Sequence, residues 1–173
     1  GHTGFKGSWL SIWLNHLGAE VVGISLDLPS TPSNFEACAI DSFITDHRLD
    51  ICNTKALHKA IHQTQPDFVF HLAAQSLVRL SYQNPLYTLT TNAIGTANLL
   101  DTLRTLKKRV VAVMITSDKA YDNVEWIWGY RETDRLGGKD PYSASKGMAE
   151  LAIRTYVESY FNQEDSNVRV GIA

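Results

Sequence analysis

The sequence predicts an α/β protein with a Rossmann-like, doubly wound parallel sheet. Apolar, strand-like runs alternate along the chain with stretches of helical period, which is typical of βαβ units. Glycines stand at positions 1, 4 and 7, directly before the first helical stretch. Glycine allows a tight turn and close approach of a ligand, and a helix N-terminus offers free N–H groups to an anion, as in a pyrophosphate site. No repeat or low-complexity segment interrupts the pattern, so we expect one domain over residues 1–173.

Composition excludes several classes of function. The 173 residues include 16 Lys and Arg against 18 Asp and Glu, and no basic block that would indicate a nucleic-acid partner. The longest strongly apolar run, Val110 to Ile115, is far too short to span a bilayer. Cys38 and Cys52 have neither metal-ligand nor disulfide-framework spacing. We expect two free thiols, no metal site and a cytoplasmic location.

The first predicted helix follows the glycines, because Leu10, Trp13, Leu14 and Leu17 recur at helical spacing. A glycine loop of this kind usually follows directly on a strand, and no strand comes before Gly1. We therefore expect the fold to lack its first strand here. The last residues are predicted to form a strand that stops at its end, so we also expect a C-terminal substrate lobe to be missing.

Ala19–Leu26 is predicted to be a strand that ends at Asp27. An acidic residue about 20 or more positions beyond the glycines is placed to bind the hydroxyls of an adenosine ribose. Because Asp27 would repel a 2′-phosphate, NAD is favoured over NADP. The alternative is a turn aspartate before Pro29, and the following residues to Ile44 are loop-like.

The middle of the chain supplies a further helix and strand. Asp50 and Ile51 precede a short helix whose apolar side carries Ala56, Leu57, Ala60 and Ile61. Asp67–Leu72 is predicted to be a buried strand leading into Ala73-Ala-Gln75, small residues on which a flat ring could lie. A long helix follows from about Leu86 to Leu106, with the inward stripe Leu89, Ala93, Ala97, Leu100 and Leu103.

In the last third of the chain, residues that can transfer protons stand at the end of one predicted strand and at the start of one predicted helix. Arg109–Thr116 is almost continuously apolar, as expected for a strand covered on both faces. It delivers Ser117-Asp-Lys119 at its carboxyl end, where ligands bind in such sheets. A loop rich in Trp and Tyr covers Tyr121–Lys139, and a strand is predicted over Asn167–Ala173. The helix between them runs from Tyr142 to about Asn162, with the predicted inward residues Met148, Leu151, Ala152, Thr155 and Tyr156.

Tyr142 and Lys146 share one face of that helix, because they are four residues apart. A free tyrosine has a pKa of about 10 and is a poor base at neutral pH. A fixed cation beside it favours the phenolate, which can then take a proton from a substrate hydroxyl. The alternative for the pair alone is a surface tyrosine and a solvated lysine. For Ser117-Asp-Lys119 the alternative is a turn with an N-cap-like Ser-Asp pair.

Together these segments resemble the extended short-chain dehydrogenase/reductases of the NAD-dependent epimerase/dehydratase family. Within that family the resemblance is strongest to the nucleotide-sugar 4,6-dehydratases that act on CDP-glucose, and it covers nearly the whole chain. The segments that carry it are Gly1-His-Thr-Gly-Phe-Lys-Gly-Ser-Trp9, Ser25-Leu-Asp27, Leu72-Ala-Ala-Gln75, Thr116-Ser-Asp-Lys119, Glu125-Trp-Ile-Trp-Gly-Tyr-Arg-Glu132 and Leu136-Gly-Gly-Lys-Asp-Pro-Tyr-Ser-Ala-Ser-Lys146.

The resemblance implies a redox-neutral reaction with tightly held NAD. Tyr142 would take the proton of the glucose C4 hydroxyl as hydride leaves C4, while Lys146 holds the nicotinamide ribose. Ser117 would hydrogen-bond the C4 oxygen. Asp118 would protonate the departing C6 hydroxyl, and Lys119 would remove the C5 proton. Hydride then returns to C6, leaving a 4-keto-6-deoxy sugar for deoxysugar and polysaccharide biosynthesis, including lipopolysaccharide O-antigen.

The same resemblance assigns the binding residues. Cofactor contacts are expected from Gly1, Thr3, Gly4, Phe5, Lys6, Gly7, Asp27, Asp50, Ile51, Leu72, Ala73, Ala74, Gln75, Thr116, Tyr142 and Lys146. Substrate contacts are expected from Gln75, Ser117, Asp118, Lys119 and Tyr142. Phe5 and Lys6 would act through their backbone. Asn92 matches an asparagine of the family's long central helix and could equally be structural. Trp126 and Trp128 could line the sugar pocket or pack the loop down.

Lys119 departs from the TDP-glucose dehydratases, which carry an acidic residue at this position, and agrees with the CDP-specific relatives. To act as a base Lys119 must be uncharged, which requires burial or a nearby cation. Two other functions stay open: an epimerase or oxidoreductase of the same superfamily, and a catalytically silent NAD-binding module. The resemblance also implies a homodimer formed through the helices at Leu86 and Tyr142.

Overall fold

The computed structural model describes residues 1–173, with five strands and seven α-helices in alternation. The strands are β1 (Val22–Ser25), β2 (Thr45–Arg48), β3 (Phe68–His71), β4 (Val110–Met114) and β5 (Val168–Ile172). The α-helices are α1 (Phe5–His16), α2 (Asn34–Ala37), α3 (Thr54–Thr64), α4 (Val78–Gln83), α5 (Pro85–Leu89), α6 (Gly95–Arg104) and α7 (Pro141–Tyr156). π-Helical segments join α5 to α6 (Thr90–Ile94) and extend α7 (Val157–Phe161). None of the helices combines the length and apolar character needed to cross a membrane.

All strand pairs are parallel, which confirms the predicted fold class. β1 pairs with β2, and β3, β4 and β5 form a second sheet in that order. β4 lies in the centre of the second sheet, where Phe68 stands opposite Val111 and Met114 opposite Ile172. Because both neighbours pair with β4, its alternate side chains Val110, Ala112 and Met114 are fully buried.

The core lies between the second sheet and the helices that cover it. A helix must bury its apolar stripe against another element, and here α3, α6 and α7 contribute buried side chains to one cluster with β4 and β5. The cluster consists of Ile51, Leu57, Ile61, Leu99, Leu100, Leu103, Leu106, Val110, Ala112, Met114, Ile153, Phe161 and Val168. This packing fixes the direction of the β4 and α7 ends that carry the predicted site residues.

An apolar channel of about 750 Å³ separates the two sheets. It is lined by α1, α3 and the facing edges of β1 and β3. The strand over Asp67–Leu72 was predicted to be buried, but Phe68 is 63% exposed and only His71 is buried, because this edge of β3 has no neighbour. One parallel strand placed here would pair with β1 and β3 and make the two sheets continuous.

Two parts of the sequence prediction are wrong in detail. The strand β2 was not predicted, because Thr45-Asp-His-Arg48 is short and polar and no residue of it is fully buried. On α7, Met148, Leu151 and Thr155 were predicted to face inward, but Met148 and Leu151 are 43% and 52% exposed and Thr155 is also exposed. The buried positions are instead Lys146, Ile153 and small residues, since Gly147 and Ala149 allow close packing on the neighbouring turn and helices.

His71, at the carboxyl end of β3, is hydrogen-bonded to α6. Its Nε2 lies 2.9 Å from Thr96 Oγ1, and Thr96 Oγ1 donates to the Asn92 carbonyl at 2.7 Å. The hydroxyl proton is therefore used, so His71 Nε2 is the donor to Thr96. Burial, with smaller effects from the charges of the Gly1 amino group and Lys146, lowers the pKa of His71 to about 3. The ring is thus neutral in the native state at neutral pH.

His71 should make the chain less stable in acid. Between pH 6.5 and about 3 the unfolded state binds a proton at His71 that the folded state does not, so stability is lost as pH falls through this range, by about 1.4 kcal/mol per pH unit for one proton. In His71→Gln the unfolding free energy, measured by urea denaturation at a series of pH values, should show a correspondingly flatter pH dependence. His16→Gln, an exposed histidine of α1, is the control. Equal slopes in His71→Gln and the unsubstituted chain would contradict the assignment.

Candidate active site

The glycine loop packs so closely that side chains would not fit. A Cβ on Gly7 would lie 2.1 Å from the Gly1 carbonyl oxygen, and one on Gly1 would lie 2.7 Å from the Ala73 backbone nitrogen. α1 begins at Phe5, and its N-cap Gly4 provides no side-chain hydrogen bond. The first N–H groups of the helix are therefore free to face an anion. The glycine loop thus lies against the chain just after β3 and leaves backbone N–H groups available to an anion.

Side chains on both sides hold this loop in place. Thr3 Oγ1 donates to the Asp27 carbonyl at 2.7 Å, and the Thr3 N–H donates to Ser25 Oγ at 3.3 Å. The buried His2 lies with Nε2 2.9 Å from Asp46 Oδ1 on β2. Sequence reasoning missed this His2–Asp46 contact, because it depends on a strand that was not predicted.

The acidic residues expected near the adenosine lie at the ends of β1 and β2. Asp27 is exposed directly after β1, and its Oδ1 accepts only the Leu28 N–H among protein groups, at 2.8 Å. Asp50 Oδ1 accepts from the Cys52 N–H at 2.8 Å. Ile51 is 7% exposed and belongs to the core, so its side chain mainly positions the backbone of this turn.

The amide of Asn92 joins three parts of the site. Its Oδ1 accepts from the Gln75 N–H at 2.7 Å, and its Nδ2 donates to the Gln75 carbonyl at 2.9 Å. Nδ2 also donates to Ser145 Oγ on α7 at 2.8 Å. Asn92 lies in the π-helical segment and is 1% exposed. The segment after β3 is thereby fixed to the helix that carries Tyr142 and Lys146.

The side chain of Gln75 is hydrogen-bonded to neighbouring groups of the chain. Its Oε1 accepts from the Leu77 N–H at 2.6 Å, and its Nε2 donates to Thr88 Oγ1 at 2.9 Å and to the Leu77 carbonyl at 3.1 Å. Gln75 is 7% exposed. Both Nε2 hydrogens of Gln75 are therefore used within the chain, and only Oε1 keeps a lone pair for the expected substrate contact. Leu72, Ala73 and Ala74 before it are half-buried at the edge of the site.

The Ser117–Lys119 segment forms a tight turn at the carboxyl end of β4. The Thr116 N–H donates to the Ala173 carbonyl at 2.8 Å, so the strand is held as far as Thr116. Ser117 Oγ then accepts from the Lys119 N–H and donates to Asp118 Oδ1, both at 3.2 Å. Asp118 and Lys119 are exposed. Of the two conditions expected for a basic role of Lys119, burial or a nearby cation, burial is not provided by this chain.

A capped helix start positions Tyr142 and Lys146. Asp140 accepts from the Ser143 N–H at 3.0 Å and from Ser143 Oγ at 2.6 Å. Burial alone would raise the pKa of Asp140, but these bonds together hold it below its usual value. One turn further on, Lys146 is 8% exposed. Burial, assisted by the charge of Lys6, lowers its pKa, although Glu150 acts in the opposite direction.

The β4 turn and the start of α7 are packed together. A Cβ on Gly147 would come within 3.3 Å of the Ala120 carbonyl oxygen, and the Gly137 N–H donates to that oxygen at 2.9 Å. The predicted phenol, ammonium, hydroxyl and carboxylate groups thus come from two adjoining elements. Such a set of groups can take the proton of a substrate hydroxyl and can act as acid and base at the neighbouring carbon atoms of the substrate.

Tyr130 makes contacts within the tryptophan-rich loop through its hydroxyl and through its ring. The Tyr130 hydroxyl accepts from the Val124 N–H and donates to Asn123 Oδ1, both at 2.8 Å. Trp126 stacks on Tyr130 at a tilt and is 46% exposed, and Trp128 is 70% exposed. Trp128 therefore does not pack the loop down.

Comparison with known proteins identifies relatives over almost the whole chain. The family model described as GDP-mannose 4,6 dehydratase matches residues 1–164. CDP-glucose 4,6-dehydratase of Salmonella typhimurium is 51% identical over 162 residues, which are 94% of this chain and 45% of that protein. GDP-mannose 4,6-dehydratase of Vibrio cholerae is 32% identical over 92% of this chain and 45% of that protein. The chain thus spans about half the length of the curated relatives it matches.

Solved structures agree with the fold. UDP-glucose 4-epimerase of Thermus thermophilus, in complex with NAD, has a TM-score of 0.79 at 27% identity, covering 93% of this chain and 50% of that one. UDP-glucose 4-epimerase of Thermotoga maritima has a TM-score of 0.83 at 22% identity, covering 99% of this chain and 52% of that one. The second likeness concerns the fold alone.

Asn92→Ala should destabilise the chain and loosen the site. It would leave the Gln75 N–H, the Gln75 carbonyl and the Ser145 hydroxyl without their buried partner, at a cost of about 3 kcal/mol or more, since each unsatisfied buried group costs about 1–3 kcal/mol. Urea unfolding measures the stability. The matched control is Asn98→Ala, which removes one bond, from Asn98 Nδ2 to the Ile51 carbonyl. An Asn92→Ala chain no less stable than Asn98→Ala would contradict the role of this amide.

Proposed function

Because the chain belongs to the GDP-mannose 4,6-dehydratase family, we propose that the protein carrying it converts CDP-glucose to CDP-4-dehydro-6-deoxy-glucose with NAD. The reaction oxidises C4, removes water across C5 and C6, and returns the reducing equivalent to C6. Its product is a building block of deoxysugar biosynthesis, including the sugars of surface polysaccharides such as O-antigen.

One observation carries the choice of reaction. The Ser117-Asp-Lys119 turn is packed on the helix that bears Tyr142 and Lys146, so an acid and a base for dehydration adjoin the groups for oxidation. The choice of CDP rests on the relative from Salmonella typhimurium, a CDP-glucose 4,6-dehydratase at 51% identity.

The residues present fit NAD. The glycine loop leaves backbone N–H groups free at the start of α1, and a Cβ on Gly7 would fill the space that the turn needs. The Asp27 carboxylate keeps one oxygen without a protein partner, which suits ribose hydroxyls and repels a 2′-phosphate. When bound, NAD supplies the group that accepts and later returns hydride.

Oxidation at C4 is assigned to α7 and Ser117. Tyr142 takes the proton of the C4 hydroxyl as the C4–H bond breaks and C4 becomes a ketone. Lys146, fixed and largely buried, stabilises the phenolate and holds the cofactor ribose. Ser117 donates a hydrogen bond to the C4 oxygen.

Dehydration is assigned to the two exposed residues of the β4 turn. The C4 ketone acidifies the C5 proton, and its removal is assigned to Lys119. Because Lys119 is exposed in this chain, this role requires that bound substrate bury the side chain and favour its uncharged form. Asp118 donates a proton to the C6 hydroxyl, so that the C6–O bond breaks and water leaves. Reduction at C6 and reprotonation at C5 complete the 4-keto-6-deoxy sugar.

The test offers CDP-, TDP-, UDP- and GDP-linked glucose separately to the purified protein and follows product mass. We expect a product lighter by one water from CDP-glucose alone. An unchanged mass with altered sugar configuration would instead establish an epimerase. No change with any donor, despite bound NAD, would establish a silent module.

Single substitutions should separate the two halves of the reaction. Asp118→Asn and Lys119→Met should retain oxidation at C4, seen as transient reduced-cofactor absorbance, but lose formation of the dehydrated product by about 10²-fold or more, as expected when an acid or base is removed. Tyr142→Phe should lose both signals. Undiminished product formation by Asp118→Asn would contradict the assigned role of the turn.

We also propose that two copies associate through α5, α7 and the π-helical segment between α5 and α6. These elements pack side by side, and they expose Leu86 (73%), Ile94 (52%), Met148 (43%) and Leu151 (52%). Several large apolar side chains on adjoining helices favour burial against another apolar surface. A second copy presents the same surface, as a two-fold interface requires.

Leu151→Glu should convert the dimer to a monomer, because it places a charge in the apolar contact. Sedimentation velocity or light scattering measures the mass. Ile127→Glu, at an 89% exposed position of the tryptophan-rich loop, is the control and should leave the mass unchanged. A dimer that persists in Leu151→Glu would show that another surface forms it.

A further inference from the structure

A pair of histidines on α3, remote from the candidate active site, converges on one oxygen atom. His58 and His62 are four residues apart and therefore lie on one face of the helix. Their rings stack with centroids 3.9 Å apart and planes inclined by 20°. His62 Nε2 lies 2.9 Å from Thr105 Oγ1, and His58 Nε2 lies 3.4 Å from the same atom. Three polar atoms from two helices thus face one small volume.

Proton accounting shows what this volume can hold. Thr105 Oγ1 donates its own hydrogen to the Thr102 carbonyl at 2.7 Å, so the lone pairs of the oxygen are what face the two rings. A neutral imidazole carries its proton on either ring nitrogen. As for His71 and Thr96, His62 Nε2 donates its proton to Thr105 Oγ1 when no ion is bound. If each ring instead carries its proton on Nδ1, both Nε2 lone pairs and the Thr105 oxygen face one volume, and a cation there would take the place of the His62 proton.

We propose that His58, His62 and Thr105 bind a divalent transition-metal ion of the Zn²⁺ class. Imidazole nitrogens prefer Zn²⁺, Ni²⁺ and Cu²⁺, whereas Mg²⁺ and Ca²⁺ prefer oxygen ligands. The three proposed ligand groups are two imidazoles and one hydroxyl, with no carboxylate among them, so the set favours the first group of ions over the second. Zn²⁺ bonds imidazole at about 2.0–2.1 Å and is commonly four-coordinate, and water reaches the exposed His58 and Thr105 to complete the shell.

The consequence of binding is mechanical. The two histidines belong to α3, and Thr105 is the C-cap of α6. These helices pack against each other over the core that supports β4. A metal ion bound by both would therefore link α3 to the end of α6 and stabilise the native state.

The experiment measures thermal unfolding of the untagged protein with ZnCl₂ alone, and with MgCl₂ for comparison. At about 100 times the dissociation constant, Zn²⁺ should raise the melting temperature by about 5–10 °C, since ligand binding to the native state stabilises in proportion to ln(1 + [L]/Kd). Chelation by EDTA should reverse the shift, and MgCl₂ should cause none. Thr105→Val should reduce the apparent affinity several-fold.

Three variants decide the assignment. His58→Gln and His62→Gln should each abolish most of the Zn²⁺-dependent shift, while their melting temperatures without metal stay close to that of the unsubstituted chain because both side chains are at the surface. The control variant His16→Gln removes the exposed histidine of α1 and should keep the full Zn²⁺-dependent shift. All three retain Cys38 and Cys52, so binding by thiols is the same in each. An equal shift in His58→Gln and His16→Gln, or no shift in the unsubstituted chain, would overturn the proposal.

Discussion

The amide of Asn92 is the contact on which the geometry of the candidate site depends. It pairs with both backbone groups of Gln75 and with the hydroxyl of Ser145, and all three contacts are buried. Gln75 and Ser145 are 17 and 53 positions away from Asn92 in the sequence, and both are hydrogen-bonded to its side chain. A buried amide can satisfy this many partners only in one arrangement, so it selects a single relative placement of β3 and α7. The helix that carries Tyr142 and Lys146 is therefore positioned by the Asn92 amide, which need not touch any ligand.

A second constraint is the close approach of backbone to backbone. Gly1 abuts the chain after β3, and Gly147 abuts the turn after β4. Where these contacts occur, a parallel sheet brings the carboxyl ends of its strands to one edge, which is where ligands bind in doubly wound folds. The glycine loop and the polar groups at the ends of β4 and α7 therefore lie at one edge of the sheet, where the proposed cofactor and sugar would meet. The burial of Lys146 and the exposure of Asp118 and Lys119 give neighbouring charged groups different environments, which is the usual condition for different chemical roles.

The sequence predicted the parts that depend on local pattern. The continuously apolar β4, the glycine loop and the helix containing Tyr142 and Lys146 each have a signature within a dozen residues. β2 could not be predicted, because a short polar strand is defined by its neighbour β1 and not by its own residues. The exposed face of α7 was misassigned for a related reason: Met148 and Leu151 are apolar, and only their neighbours decide whether they face a core or a second molecule. The structural environment of Gln75 and the joining role of Asn92 depend on tertiary pairing, for which the sequence carries no periodic signal.

Isotope transfer is the most direct test of the proposed dehydration. CDP-glucose carrying deuterium at C4 is incubated with the protein that contains this chain, and any product is examined by NMR and mass spectrometry. We expect the deuterium at C6 of a product that has lost one water, and in deuterated water a solvent deuteron at C5. Deuterium retained at C4 of an isomer with unchanged mass would contradict the dehydration and assign the Ser117–Lys119 turn another purpose.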